Sequence, residues 1–600
     1  MSFSAISLLL LSACTGGIGP KGDNGIQGAK GDQGDKGDQG DKGDQGVSIV
    51  WKGTLCSAPA NPQINWAYYS PMDGRAYIYT GVKWEVLVAG PPSITSISSS
   101  ADMAKIGVDP AYPLYGYYML SSDITLDDWL PIGTVGDPFA GVLCGNGNTI
   151  SLTGFDDDIL DNENYLGIFG YVKGDSAGAK AVIANLTIDS SVDAESAAAQ
   201  AVGLVAGYAE SAEISDITLT GTFDFVSART IRLGGIAGGV AGADSVIKDS
   251  VSSLEMNIIP GNGSPIGDGG GAYSYVGGIA GIFSAGAGIE NCHNSGDVTA
   301  DNMASAVSGQ VFAGGIAGGS LFGAGTTYQG YIKDSSSTGD VTNMAKGSWA
   351  FVGGIAGTIV GGNVNDDEAS TRIERSFATG NIYGTGGFPY VGGIVGYNYY
   401  GALVKQSYFD IGTVKTDKTN DYTGGIVGYN SQTTAPNNSR IEDSWSGGKV
   451  QGFNNAGGIV GQNQVNTYIS RSYSTAEVVA TNNAGSVGGI AGLHASTTPD
   501  SITACVALNP SVSSLDGTGM TIGRITGSPG GNRSNNYAWN DMVVETPDGN
   551  VVIDPKGQDT RHGEDVDTDK PGQAFYEGIG WDFENVWKIG GDGYPQLIWQ

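Results

Sequence analysis

The sequence predicts an all-β fold, a solenoid of about eleven parallel coils, and three observations lead there. The pentapeptide Gly-Gly-Ile-(Ala/Val)-Gly begins at Gly234, Gly277, Gly314, Gly353, Gly392, Gly424, Gly457 and Gly488. Looser copies beginning at Gly167, Gly203 and Gly523 extend the series, and a fixed period of this kind means stacked units. A second motif, Ile-x-x-Ser, follows each box, as at Ile332–Ser335, Ile373–Ser376, Ile441–Ser444 and Ile469–Ser472. No 3, 4, 7 spacing of apolar residues runs through the units, whereas short β-branched runs broken by Gly, Asn and Asp do. Each unit of 31 to 43 residues therefore reads as one β coil, with the glycine box as its close-packed strand. Coils about 4.8 Å apart make a rod of about 50 Å.

The elements follow in chain order. Residues 1–13 read as a signal peptide: Leu8 to Leu11, then Ser12-Ala13-Cys14, resembles a bacterial lipoprotein signal in which Cys14 is lipidated. Met1 to Ser4 lacks the basic residues such signals carry, and Met1 need not be the true start. Acyl chains on Cys14 would anchor without spanning, and Thr15 after the cysteine favours an outer membrane by the same resemblance. In 14–46 glycine falls at every third position from Gly16 to Gly46, the spacing a collagen triple helix demands, since only glycine fits at its axis. Pro20 is the sole proline there, and Lys-Gly-Asp steps such as Lys36-Gly37-Asp38 would replace imino-acid stiffening with pairing between chains of a homotrimer. This stretch resembles bacterial collagen-like stalks; the alternative is a flexible polar linker.

Residues 47–90 carry Trp51, Trp66, Tyr68, Tyr69, Tyr77, Tyr79 and Trp84 in alternating runs and read as a small antiparallel β module whose aromatics form its core. A faint similarity to small carbohydrate-binding modules is the competing reading. Residues 91–165, with Trp129-Leu130-Pro131-Ile132-Gly133, are expected to cap the open sheet edge at one end, 166–527 to hold the repeats, and 528–600 to cap the other end.

The repeats carry a family resemblance. Val276-Gly277-Gly278-Ile279-Ala280-Gly281 and Val391-Gly392-Gly393-Ile394-Val395-Gly396-Tyr397 resemble the GLUG repeat of bacterial surface proteins, which implies a right-handed parallel β-helix at the cell surface, in the outer membrane or cell envelope. The tail from Gly580-Trp581 to Trp599 is similar to flanks found in such proteins.

Composition narrows the function. Sixty-one acidic against twenty-nine basic residues give a net charge of −32, which repels nucleic-acid phosphates and argues against a nucleic-acid partner. Five cysteines without a Cys-x-x-Cys pair make neither a disulfide scaffold nor a zinc cluster. Cys292 and Cys505 stand where other units carry Ser250, Ser335, Ser376, Ser407, Ser444 and Ser472, so they read as small interior residues. His293, His494 and His562 belong to no His-Glu-x-x-His helix, and no nucleophile elbow or phosphate loop occurs. No cofactor, no metal and no catalytic residue are assigned, and an enzyme is not expected. Asp366-Asp367-Glu368 and the acidic residues Asp554, Asp559, Glu564, Asp565, Asp567 and Asp569 read as solvated loops, which would hold calcium only if folded together.

Two stacked positions stand out. Asn398, Asn430 and Asn463 recur in successive units and predict an amide ladder along the axis. Phe377, Tyr408, Trp445 and Tyr473 each follow the in-register serine, so if the serine points in, four rings form a strip on one face. The strip is either a ligand site for a glycan chain or a self-stacked shield. The expected role is a lipid-anchored adhesin that binds glycans or host matrix; a polysaccharide lyase or hydrolase with a lateral groove, and a passive surface component, are the alternatives.

Overall fold

The structure, a computed structural model, describes residues 48–600 except 57, 60, 71–74, 89–93, 175–178, 262–272, 303–308, 322–329, 363–369, 433–437, 483–484 and 517–519. The expected signal peptide, Cys14, the collagen-like stretch and Asp366-Asp367-Glu368 lie outside the described residues. The chain divides into two compact units, one taking residues 1–91 with 176–178 and the other 92–175 with 179–600.

The first unit is a four-stranded sheet of Val50–Thr54, Trp66–Ser70, Arg75–Tyr79 and Trp84–Val88 in chain order. Its last three strands are antiparallel, as expected, but the first two run parallel. The connection from Leu55 to Asn65 is long enough to carry the chain back to its starting edge, which a tight hairpin could not do. Buried Tyr68 stacks on Tyr77 at 5.3 Å and meets Trp84 edge-on at 4.9 Å, so these rings are the core of the module.

The second unit is a parallel β-helix. Ten strands, from Phe169–Lys173 through Ala280–Ser284 and Val395–Tyr399 to Ala491–His494, form one sheet with one strand per coil. The remaining strands of each coil join a continuous sheet in which nearly every pairing is parallel. In-register pairs such as Gly277 with Gly314, Gly314 with Gly353 and Gly353 with Gly392 put the boxes directly above one another.

The box is a corner rather than a strand. One strand ends on its first glycine, as in Tyr273–Gly277, and the ten-stranded sheet resumes at its fourth residue, as in Ala280–Ser284. At the turn two successive N–H groups, those of Ile279 and Ala280, donate to the single carbonyl of Ile316 at 2.9 and 3.0 Å, and Ile316 and Ala317 do the same to Ile355. Coils approach so closely here that a Cβ on Gly393 would lie 2.1 Å from the Gly425 carbonyl oxygen, and one on Gly425 2.1 Å from that of Gly458. Only glycine fits without pushing the coils apart.

Three apolar columns fill the interior. Box isoleucines Ile279, Ile316, Ile355, Ile394, Ile426, Ile459 and Ile490, those of the Ile-x-x-Ser motif, and Val298, Val341, Ile382, Val414, Val450 and Val478 are all fully buried in one cluster. A second corner turns at Ile-x-x-Ser. The residue before each serine is left-handed, with φ of 51° at Asp334, 47° at Arg375, 49° at Gln406, 48° at Asp443 and 46° at Arg471. The serine then points inward and bonds along the axis: the N–H groups of Ser335, Ser376, Ser407 and Ser444 donate to the hydroxyls of Ser376, Ser407, Ser444 and Ser472 at 3.2 to 3.3 Å. Cys292 and Cys505 occupy this ladder fully buried, and burial pushes both thiols up to about 12, so they are interior residues without thiolate chemistry. Outside the same strands Lys248, Glu290, Lys333, Glu374, Lys405 and Glu442 stand in register, so charge alternates from coil to coil.

The ends differ from the expected irregular caps, because the segment before the repeats is itself coiled. Ile94–Ile97, Tyr117–Leu120 and Val142–Cys144 pair in parallel one above another, and Val142–Cys144 pairs with the first long strand, Ala181–Ser196. The core is closed there by Met103, at the end of a short helix, Ser100–Met103, whose N-cap Ser99 accepts from the Asp102 N–H, and by Ile106 just after it. At the other end the stack continues through Arg533–Ser534, Tyr537–Trp539 and Val543–Thr546 to Glu564–Val566. Only residues up to 566 complete the stack; the rest of the tail turns back along one flank.

Candidate functional site

The four predicted rings do form one stack. Phe377 and Tyr408 are 4.9 Å apart and 3° from parallel, Tyr408 and Trp445 4.9 Å and 2°, Trp445 and Tyr473 5.6 Å and 11°. The stack is not open to a ligand along its length, which corrects the ligand reading of this strip. Tyr473 is 1% and Trp445 8% exposed, because the tail lies over them with Tyr576, Trp581, Trp587 and Leu597. The Tyr473 hydroxyl donates to the Pro595 carbonyl, and the Trp581 indole N–H to that of Ala504 at 2.9 Å. A row of apolar rings facing water is costly, and the chain's own tryptophan-rich tail removes that cost.

Beside the same flank a cleft of about 350 Å³ gathers Lys405, Glu442, Asp443, Arg471 and Asp582. Arg471 is gripped there by Asp443 in a two-pronged pair at 2.8 and 2.9 Å and by Glu442 at 3.2 Å, while the Trp587 indole N–H reaches Asp443 at 3.4 Å. Those bonds hold the Arg471 guanidinium well above its ordinary range. The set is a clamp between coil and tail, with its carboxylates already committed.

A larger recess of about 500 Å³ opens among the first coils, between Ile106, Leu114, Trp129 and Ile132 with Asp127 and Asp137 at its rim. Its lining holds the carboxylates of Asp127, Asp128 and Asp137 but no His, Cys, Lys or Arg. Of the acidic residues in the C-terminal region, Asp565 pairs with Arg524 at 2.7 Å and with Lys556 at 2.6 Å, and Asp569 accepts from the Tyr594 hydroxyl at 2.9 Å.

A second column of rings lies over the glycine boxes, buried along its centre and open only at its edge. Two places before the first glycine stand Tyr275, Phe312, Phe351, Tyr390 and Tyr422, in register through five coils. Tyr275 and Phe312 stack at 4.8 Å, Phe312 and Phe351 at 4.6 Å, and Phe351 and Tyr390 meet edge-on at 5.1 Å. Across the corner Tyr397 and Tyr429 stack on each other at 5.3 Å, Tyr397 on Phe351 at 5.6 Å, and Tyr429 on Tyr422 at 5.0 Å. The glycines make this possible: with no side chains at the corner, rings from both strands lean over it. Tyr397, Tyr422 and Tyr429 are half-buried, and burial raises all three phenols above their ordinary range, which keeps their hydroxyls protonated.

Trp349 and Phe388 extend the face outward at 37% and 41% exposure, 5.2 Å apart, where the register of their strands shifts. Sequence reasoning missed this face, although its signal was present: an aromatic residue two places before five successive boxes.

The fold and this surface together define a β-solenoid with a lateral aromatic face. No family model matches the chain, and no curated protein matches it. Among solved structures it is similar to a candidate immunoglobulin A1 protease from Bacteroides ovatus, 16% identical, over 85% of this chain and 93% of that one, with a TM-score of 0.25. A likeness of that size carries no argument about activity.

Proposed function

We propose that this chain is a binding protein of the bacterial cell surface, held to the envelope through lipid on Cys14, and that the aromatic face over the glycine boxes takes up a glycan chain. The observation that supports it is the exposed pair Trp349 and Phe388, backed by the buried rings of Phe351 and Tyr390. Ring faces stack on the apolar faces of sugars, while the protonated tyrosine hydroxyls supply donors and acceptors for sugar hydroxyls. The resemblance to GLUG-type surface proteins supports the location, and the net charge of −32 favours a ligand that is not a dense polyanion.

The competing reading, a polysaccharide lyase or hydrolase, would use the flank cleft around Arg471, whose carboxylates are engaged in holding that arginine and the tail. The deciding experiment is a glycan array probed with the full chain and a Trp349→Ala, Phe388→Ala double variant. Loss of at least tenfold in affinity with unchanged thermal unfolding supports the face; wild-type binding by the double variant sinks it.

A further inference from the structure

Four cations, Arg524, Arg533, Lys556 and Arg561, stand at the C-terminal end of the stack. Their partners separate them. Arg524 is buried and fully engaged, giving Nε to the His562 carbonyl at 2.9 Å, its terminal nitrogens to the Gly563 and Trp539 carbonyls at 3.2 Å, and an ion pair to Asp565 at 2.7 Å. Lys556 shares that carboxylate at 2.6 Å. Arg533 spends most of its donors on Thr526 Oγ1 at 2.8 Å and on the carbonyls of Gly530, Pro529 and Asp559 at 2.7, 3.1 and 3.4 Å.

Arg561 differs. Its backbone carbonyl accepts from Ile525 and Thr526 at 2.9 and 3.1 Å, the role box isoleucines play in the coils below, so its Cα is fixed by the stack. Its Nε donates to His562 Nε2 at 3.0 Å, and among the described residues that is its one side-chain hydrogen bond, which leaves four terminal N–H groups without a protein acceptor. His562 is fully buried, and burial with the surrounding guanidinium charge holds its ring neutral, down to about 4, so Nε2 remains an acceptor and the guanidinium remains oriented. The His562 Nδ1 is itself buried without a partner. Burial lowers the Arg533 guanidinium, the Asp559 carboxylate opposes that, and the nearby Arg561 charge adds a smaller push down. Two neighbouring guanidiniums, one of them anchored with its fork open, and no carboxylate bonded to that fork, form a preorganised acceptor for negative oxygen.

We propose that Arg561, supported by Arg533 and oriented by His562, binds an oxyanion group: a small inorganic anion such as sulfate, or the carboxylate of an acidic sugar. The acidity of the rest of the chain selects a small or sparsely charged ligand over a polyanion. This site does not depend on the aromatic face.

The test is thermal unfolding and calorimetric titration of the full chain with sodium sulfate, and separately with glucuronate against glucose, each against sodium chloride at matched ionic strength. Wild type is expected to gain stability with sulfate or glucuronate beyond its chloride baseline; sulfate alone identifies the free anion as the ligand, and glucuronate without glucose identifies the sugar carboxylate. Arg561→Gln should weaken binding at least tenfold, and Arg561→Lys less, because charge remains while the fork is lost. Each variant is read against its own chloride baseline, so a lower starting stability does not obscure the result. The Trp349→Ala, Phe388→Ala variant should bind the anion normally. No anion response in wild type, or an equal one in Arg561→Gln, overturns the site.

Discussion

The indole N–H of Trp599 donates to the carbonyl of Gln406 at 3.2 Å, across 193 residues of sequence. With its ring 5.7 Å from Tyr408, Trp599 ends a tail that lies along the flank of the solenoid and converts a ring strip into a second hydrophobic core. The tail's docking and the solenoid's stacking are therefore separate sources of order.

That separation is testable at Trp587, fully buried between tail and flank. Trp587→Ala should cost about 3–5 kcal/mol of tail docking. Hydrogen exchange should show amides of 573–600 losing protection while those of the box strands keep theirs. Unchanged tail protection would contradict this account.

The glycine corners should tolerate no side chain. Gly393→Ala places a methyl group 2.1 Å from the Gly425 carbonyl oxygen and should destabilise by about 2–3 kcal/mol in urea unfolding. Gly591→Ala, where nothing lies within 4 Å, is the control and should stay within about 0.5 kcal/mol.

The predicted amide ladder forms: Asn398 Nδ2 donates to Asn430 Oδ1 at 2.9 Å, and Asn430 Nδ2 to Asn463 Oδ1 at 2.8 Å, all three fully buried. Asn430→Leu breaks both bonds and strands polar atoms on either side, for a loss of about 2–4 kcal/mol. A midpoint equal to wild type in urea would show that the ladder contributes nothing.

The ladder ends on a histidine, which gives a pH dependence. Asn463 Nδ2 lies 3.4 Å from His494 Nδ1, while His494 Nε2 lies 2.9 Å from the Asn532 carbonyl, an arrangement that suits the neutral ring with its proton on Nε2. Burial lowers His494 from 6.5 to about 4, so its contribution is complete above about 6.5 and is lost as pH falls through about 4. Asp421 acts in the opposite sense. Burial raises it from 3.8 to about 6 against the N–H bonds it accepts from Phe453, Asn454 and Asn455, so its contribution is complete below 3.8 and is lost as pH rises through about 6. Between pH 6.5 and 4, stability should fall less steeply in His494→Asn than in wild type and more steeply in Asp421→Asn. Identical slopes in all three proteins would refute the assignment.

Much of this was legible in the residues. The box spacing announced the parallel coils, the serine positions announced an inward column, and Asn398, Asn430 and Asn463 announced a ladder, because each depends on one residue meeting its counterpart a single coil away. The box itself was misread as a strand, since a Gly-Gly-Ile-Ala-Gly run does not reveal that two N–H groups bend to one carbonyl and turn the chain.

The sequence by itself determined the repeat, its β character and which positions stack, since coil-to-coil contacts repeat a local pattern at a fixed interval. Tertiary structure alone decided which surfaces remain open. Whether Phe377 to Tyr473 faces water depends on where Trp581, Trp587 and Trp599 return, and whether Arg561 keeps its donors free depends on His562 and on carboxylates brought up from elsewhere. Those contacts join segments with no shared period, so no spacing in the chain encodes them.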